Sequence, residues 1–171
     1  MAMDAKLSAL LNDQINKEFY SGYLYLDMAN FFADKGLDGF SNWYEVQAKE
    51  EQAHGMLFYQ FMQMSGEKIT LEAIGKPDKT FVEFIDPLKA ALEHEEYVTS
   101  LINNIYDVAQ EVKDFRVVQF LDWFVKEQVE EEQNANDLIT KMELFGSDPR
   151  GLYLLNQELA GRTYSDPSLV L

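Results

Sequence analysis

The chain has no cysteine, which excludes disulfides, thiolate zinc sites and iron-sulfur clusters and makes the disulfide-stapled secreted class a poor fit. It also has no run approaching the roughly 18 uncharged apolar residues of a membrane span. The opening MAMDAKLSALL lacks the apolar stretch of a signal peptide. Positive charge is scarce, with 14 Lys and Arg against 30 Asp and Glu and a formal net charge of -16. Such a balance repels nucleic acid and anionic membrane and attracts cations. The expectations are therefore no nucleic-acid partner, no membrane and a cytoplasmic location. Any bound metal must be held by oxygen and imidazole nitrogen. Internal repeats, low-complexity tracts and strand-type alternation are also missing.

What is present suits one packed domain. The 171 residues are 47% hydrophobic and 13% aromatic, enough to bury a core and too few for two comfortable domains. Four long segments carry apolar residues at three- and four-residue steps, so the fold class is all-α. The first runs from about 8 to 34 and stops at Gly36, and the second follows the turn LDGFSN and runs to about 66. The third spans about 81 to 110 and the fourth about 114 to 145, stopped by Gly146 with almost no loop between them. Each pair reads as an antiparallel hairpin. Between the pairs lies EKITLEAIGKPDKT, which has no helical stripe. About 14 extended residues reach roughly 46 Å, while a helix of about 27 residues is roughly 40 Å long. The link can therefore cross the whole bundle, which points to a four-helix bundle over about 8–145 with one long crossover between the second and third helices. The tail repeats helix punctuation: Ser147 or Asp148 as cap, Pro149 in the first turn and Gly161 as stop. This predicts a short fifth helix over about 148–160, followed by a C-terminal tail over 161–171. Its stripe of Leu152, Leu155 and Leu159 must be covered by this subunit or a neighbour.

The informative charges are those that interrupt an apolar stripe. Glu18 lies on the line Leu11, Glu18, Tyr25, Phe32 of the first helix. His54 follows Glu51 by three residues and Glu50 by four, between Trp43 and Val46 before them and Leu57, Phe58 and Phe61 after. Glu95 is the single charge in the stripe Leu88, Leu92, Glu95, Thr99, Ile102, Tyr106. Gln128 and Glu131 interrupt Val117, Leu121, Phe124 and Ala135, Leu138, Met142. Distances from the hairpin turns put Glu18 level with Glu51, and Glu95 level with Glu131. Four helices thus offer Glu18, Glu51, His54, Glu95 and Glu131 to one small central volume.

Buried carboxylates packed in this way repel one another and lose hydration, at several kcal/mol for each unpaired ion. They need a cation, and no Lys or Arg interrupts the stripes at that level. Several carboxylates with one imidazole suit iron or manganese, and bridging carboxylates permit two ions about 3.5 to 4 Å apart. A lone Glu-x-x-His is most often a solvated face; four coincident interruptions reverse that weighting. For Glu127, Glu130 and Glu132 the solvated face remains the plain reading, and His94, off the stripe, reads as an ordinary partly exposed residue. Tyr25 is either core or a hydrogen-bond partner of a ligand.

The stretches LNDQINKEFYSGYLYLDMA, QAKEEQAHG, EHEEYVTS, FLDWFVKEQVEEE and GLYLLNQEL together resemble the bacterial non-haem ferritins over nearly the whole chain. The resemblance implies a 24-subunit homo-oligomeric cage that oxidises Fe(II) with O2 or H2O2 at a di-iron centre and stores Fe(III) as mineral. It implies one iron held by Glu18, Glu51 and His54, the other by Glu51, Glu95 and Glu131, with Gln128 and Tyr25 supporting them. A third iron site would use Glu50, Glu127, Glu130 and Glu131. Bacterioferritins repeat Glu-x-x-His on the fourth helix and place a haem-binding Met after the second-helix Glu. Gln128-x-x-Glu131 and Gln52 stand at those positions here, so no haem is expected. The chief rival is a di-iron peroxidase or oxygenase without storage.

Overall fold

The computed structural model describes residues 2–171 and contains five helices: α1 (Ala5–Asp34), α2 (Asp38–Met64), α3 (Ile85–Glu111), α4 (Phe115–Phe145) and α5 (Pro149–Leu159). Among the described residues there is no strand, and no helix is long and apolar enough to cross a membrane. α1 begins three residues earlier than its apolar pattern indicates, because the Asp4 side chain accepts from the backbone N–H of Lys6 (2.9 Å) and Leu7 (3.2 Å). It stops at Gly36, whose φ of 74° lets Leu37 N–H close back on Phe32 O at 3.0 Å.

The second helix departs from the expected turn. LDGFSN is not a connection: α2 already starts at Asp38. The reason is tertiary, since Asn156 on α5 accepts at Oδ1 from the N–H of Gly39 (2.8 Å) and Phe40 (3.2 Å), satisfying first-turn donors that no local side chain caps. A Cβ on Gly39 would overlap the Asn156 carbonyl, so the close approach demands glycine. The third helix begins later than expected, at Ile85. Asp86 Oδ2 takes the N–H groups of Val82 (2.9 Å) and Glu83 (2.8 Å), which folds the preceding residues into a turn rather than helix.

α1 pairs with α2, α3 with α4, and α1 with α3, while α5 docks on α2 and α4. The extended residues between α2 and α3 run along α1. Ser8 meets Glu67 (2.7 Å), Asn12 exchanges hydrogen bonds with Thr70 (3.0 and 2.8 Å), Asn16 reaches Ala73 O (3.1 Å), and Phe81 packs on Phe31. This is the single long crossover that the length of the linking segment indicates. Leu155 and Leu159 of α5 are buried within the chain's own core, whereas Tyr153 and Leu154 stay exposed.

The interior is divided. One apolar cluster holds Leu7, Leu11, Ile15, Phe58, Met62, Ile102, Leu121 and Phe124; the other holds Tyr25, Phe32, Phe40, Tyr44, Leu88, Leu138 and Leu155. Along each of the four long helices the buried carboxylates fall between the two clusters.

Candidate metal centre

Each long helix delivers its polar side chains at the gap between the clusters. The hairpin geometry places those gaps at one height, as counting from the turns requires. Glu18, Glu51, His54, Glu95 and Glu131 are all buried, at 1–5% exposure. Glu18, Glu51 and His54 each offer an atom, all within 4.8 Å of one another, and Glu51, Glu95 and Glu131 do the same. Glu51 is common to both groups. The structure thus brings together the five side chains singled out by stripe position.

Amides and a phenol hold the carboxylates in place. Gln14 Nε2 donates to Glu18 Oε1 at 2.7 Å. Gln47 Nε2 donates to Glu51 Oε1 at 2.9 Å and to Glu131 Oε2 at 2.8 Å. Tyr25 OH donates to Glu95 Oε1, and Gln128 Nε2 donates to Glu95 Oε2 (3.2 Å), Glu95 O (3.2 Å) and Thr99 Oγ1 (3.1 Å). Glu18 Oε2 is the one fully buried side-chain polar atom without a hydrogen-bond partner among the described residues. A buried carboxylate oxygen without a hydrogen-bond partner, grouped with other carboxylates, is an arrangement that favours a cation. The His54 ring is fixed edge-on by Trp123 and Phe124, and its Nδ1 lies 3.4 Å from Glu51 Oε2. A cavity of about 20 Å³ borders Tyr25, Gln47, Glu95 and Glu131, large enough for one water-sized molecule.

The electrostatics show the same need for positive charge. Burial, with Glu51 nearby, pushes the Glu18 carboxyl up to about 8 and that of Glu95 up to about 8. Burial and the charges of Glu95 and Glu51 drive Glu131 well above the usual carboxylate range. Burial alone would depress the His54 imidazole, yet Glu51, Glu18 and Glu131 outweigh it and hold it up to about 10. Burial likewise acts to raise Glu51, but His54 and Gln47 reverse the sign and keep it low. Without metal the layer is therefore one imidazolium–carboxylate pair among protonated acids. With four carboxylates ionised and the imidazole neutral, its charge would balance two divalent ions.

The outer residues behave differently. Glu127 Oε1 is 3.8 Å from His54 Nε2, Glu50 is ion-paired to Arg162 at 2.6 Å, and Glu130 is exposed. The structure does not gather Glu50, Glu127 and Glu130 with Glu131 into a metal-sized group among the described residues. His94 corrects the expectation of a partly exposed residue: it is buried, at 9% exposure, with Nε2 2.7 Å from Ser21 Oγ. Because the Ser21 hydroxyl donates to Lys17 O at 3.0 Å, its oxygen is left to accept, and His94 Nε2 carries the proton. Burial depresses this imidazole, which stays neutral. Gln14 and Gln47 escaped the pattern reading, although each stands four residues before a buried Glu on the same helical face.

The Ferritin-like domain family matches residues 8–145. A bacterial non-heme ferritin of Staphylococcus saprophyticus is 37% identical over 164 residues, covering 96% of this chain and 98% of the relative. Another, of Staphylococcus epidermidis, is 35% identical over 96% of this chain and 99% of its own length. Among solved structures, the open-pore ferritin of the hyperthermophilic archaeon Archaeoglobus fulgidus is similar with a TM-score of 0.92 and 41% identity, covering 94% of this chain and 98% of that one. A form of the Archaeoglobus fulgidus ferritin engineered to be closed gives 0.93 and 40%, over 96% and 100%.

Proposed function

From the premise that the chain belongs to the ferritin-like domain family, we propose that it is an iron-storage protein whose buried layer oxidises Fe(II) and passes Fe(III) to a mineral within a homo-oligomeric cage. Iron is both substrate and cargo. The single observation that carries the reading is the shared Glu51: one buried carboxylate common to two metal-sized groups, each completed by side chains of a second or third helix.

In this reading Glu18, Glu51 and His54 receive one Fe(II), and Glu51, Glu95 and Glu131 receive the other. Each pair of Fe(II) supplies two electrons, which with two protons convert O2 to H2O2, or H2O2 to two waters. The protein supplies geometry and charge. Gln14 and Gln47 aim the acceptor oxygens, Tyr25 and Gln128 hold Glu95, and the surrounding apolar clusters keep bulk water out. Glu18, Glu95, Glu131 and the His54 imidazolium give up their protons as metal enters, and the Glu-rich surface draws cations toward the chain.

The same reading includes a cytoplasmic location, no haem, no nucleic-acid or membrane partner, one domain over residues 1–171, and a 24-subunit assembly. Exposed Tyr153 and Leu154 on α5, with Leu71, Ile74 and Val82 on the crossover, are apolar surface suited to contacts between copies. Two measurements test the proposal. Anaerobic Fe(II) titration should saturate at two ions per chain and precede an optical change on adding oxidant. Gel filtration should give a particle many times the 19.8 kDa chain. Elution at the chain mass would instead support a di-iron peroxidase or oxygenase without storage.

A further inference from the structure

The residues after α5 fold back over the margin between α2 and α4. Asn42 on α2 donates from Nδ2 to the carbonyls of Leu159 (3.2 Å) and Arg162 (3.0 Å). Trp123 on α4 donates Nε1–H to Ser168 Oγ at 2.9 Å, and Leu169 packs on the apolar cluster below the polar layer. Arg162 is held on three sides: its Cζ lies 4.2 Å from the Trp43 ring centroid, Nη1 donates to Trp43 O at 3.2 Å, and Nη2 donates to Glu50 Oε2 at 2.6 Å. Its side chain is only 14% exposed.

Glu50 precedes the shared Glu51 in the chain, and the carboxylate of Glu127 reaches the far nitrogen of His54. Glu50 and Glu127 thus stand at the outer edge of the layer. No other Lys or Arg pairs with Glu50, Glu51 or Glu127 among the described residues. The fixed cation at this edge is carried by the tail. A guanidinium that is stacked, hydrogen-bonded to a carbonyl and paired to a carboxylate fixes the carboxylate's direction as well as its charge.

We propose that Arg162 is a latch on Glu50: it turns this carboxylate toward the tail and away from Glu127, so that an ion occupying the outer edge must first displace the guanidinium. Arg162 is a positioning residue, acting on metal only through Glu50. The latch rests on the di-iron reading of the inner layer and adds to it a control over the step by which metal leaves or joins that layer. Displacement frees Glu50 to face Glu127 and couples the outer position to release of residues 162–169 from α2 and α4.

The test is calorimetric titration of the metal-free full-length protein with Zn(II), a redox-inert divalent ion. The parent, Arg162→Gln and Arg162→Gln/Glu50→Gln are compared. The latch predicts that Arg162→Gln binds one ion beyond the two inner ones at least about tenfold more tightly than the parent does, and that the double substitution loses this gain. Arg162→Lys retains the charge but not the stacked fork, and its isotherm should fall between those of the parent and Arg162→Gln. Superimposable isotherms for parent and Arg162→Gln overturn the latch, as does a gain that survives Glu50→Gln or a Lys variant that behaves like Gln. Two inner events with no gain sink the latch alone; a parent without two inner events sinks the di-iron reading and the latch with it.

Discussion

The apolar cluster around Phe58 and the polar layer above it are equally dry and chemically opposite. Leu11 and Phe58 are 0% exposed; Glu18, one helical repeat past Leu11 along the same stripe, is 1% exposed, and Glu51, seven residues before Phe58, is 2% exposed. The same four helices build both. In the cluster, removal from water is favourable for every side chain. In the layer, it opposes the ionised form of every acid and is offset only in part by Gln14, Gln47, Tyr25 and Gln128. The ends of the bundle therefore supply the folding free energy, and the middle is a region whose stability depends on a cation. Rigidity around a costly site lets ligands meet without collapsing or splaying apart.

The largest effect should follow from removing the layer's chemistry while leaving the clusters alone. Glu51→Ala/His54→Ala deletes the shared carboxylate and the imidazole, so oxidation of two Fe(II) per chain should slow by more than the roughly 100-fold upper range seen for losing a supporting partner. The metal-free melting temperature should change little, since a buried ion pair is removed with both its partners and its desolvation cost goes with it. Unchanged stopped-flow kinetics would refute the site.

The next effect separates the two regions by pH. Glu18 and Glu95 stand at about 8 folded against 4.5 unfolded, and His54 at about 10 against 6.5. A group with a raised folded value holds its proton more tightly when folded. Its stabilising increment is complete below the unfolded value and disappears as pH climbs through the folded one. Metal-free protein should accordingly lose several kcal/mol between about pH 6 and pH 9. Glu51, held low, has already made its contribution by pH 6 and does not oppose the trend. Zn(II)-loaded protein should show the reverse slope, because the ions require the deprotonated side chains. Calorimetric melting of both forms across this window checks the sign. At pH 7, loading should release about four protons per chain, one each from Glu18, Glu95, Glu131 and His54, read from the dependence of binding enthalpy on buffer.

Phe58→Ala is the converse experiment. It leaves a cavity in the cluster and should cost about 3–5 kcal/mol in denaturant unfolding, with the number of bound metal ions unchanged. A smaller effect should come from Gln47→Leu, which removes the shared donor to Glu51 and Glu131 and should weaken metal binding by about 10- to 100-fold with little change in fold stability.

Much of this division is legible in the chain itself, because a 3.6-residue period makes any charge in an apolar stripe conspicuous and hairpin geometry converts sequence distance into height. Glu18, Glu51, His54, Glu95 and Glu131 all have that property. Other features lack it for identifiable reasons. Gln47 sits next to Val46 in a helix whose polar signal is dominated by Glu50, Glu51 and His54, and its role comes from a contact with Glu131 on another helix. His94 is buried because Ser21 on the facing helix offers it a partner, which is a contact and not a period. The start of α2 depends on Asn156, more than a hundred residues away, and the docking of Arg162 depends on Trp43 and Glu50. Caps and latches made across the fold leave no periodic trace.

The smallest expected effect lies at the turn beside the apolar cluster. Lys113 adopts φ 59° between α3 and α4, where α1 uses Gly36 for the equivalent stop, and Asp114 N–H closes on Ala109 O at 2.9 Å as Leu37 does on Phe32. A side chain in this region costs roughly 1–2 kcal/mol, while placing glycine there restores about 0.4–1 kcal/mol of unfolded-chain entropy that folding must then remove. The first term is larger, so Lys113→Gly should stabilise the fold by somewhat under about 1 kcal/mol. The turn adjoins Val108, Ala109 and Val117 and is remote from Glu18 and Glu51, so the gain should appear equally in the metal-free and Zn(II)-loaded proteins. A gain confined to one of them would mean that the apolar end senses the state of the polar layer, and that the two regions are not energetically separate.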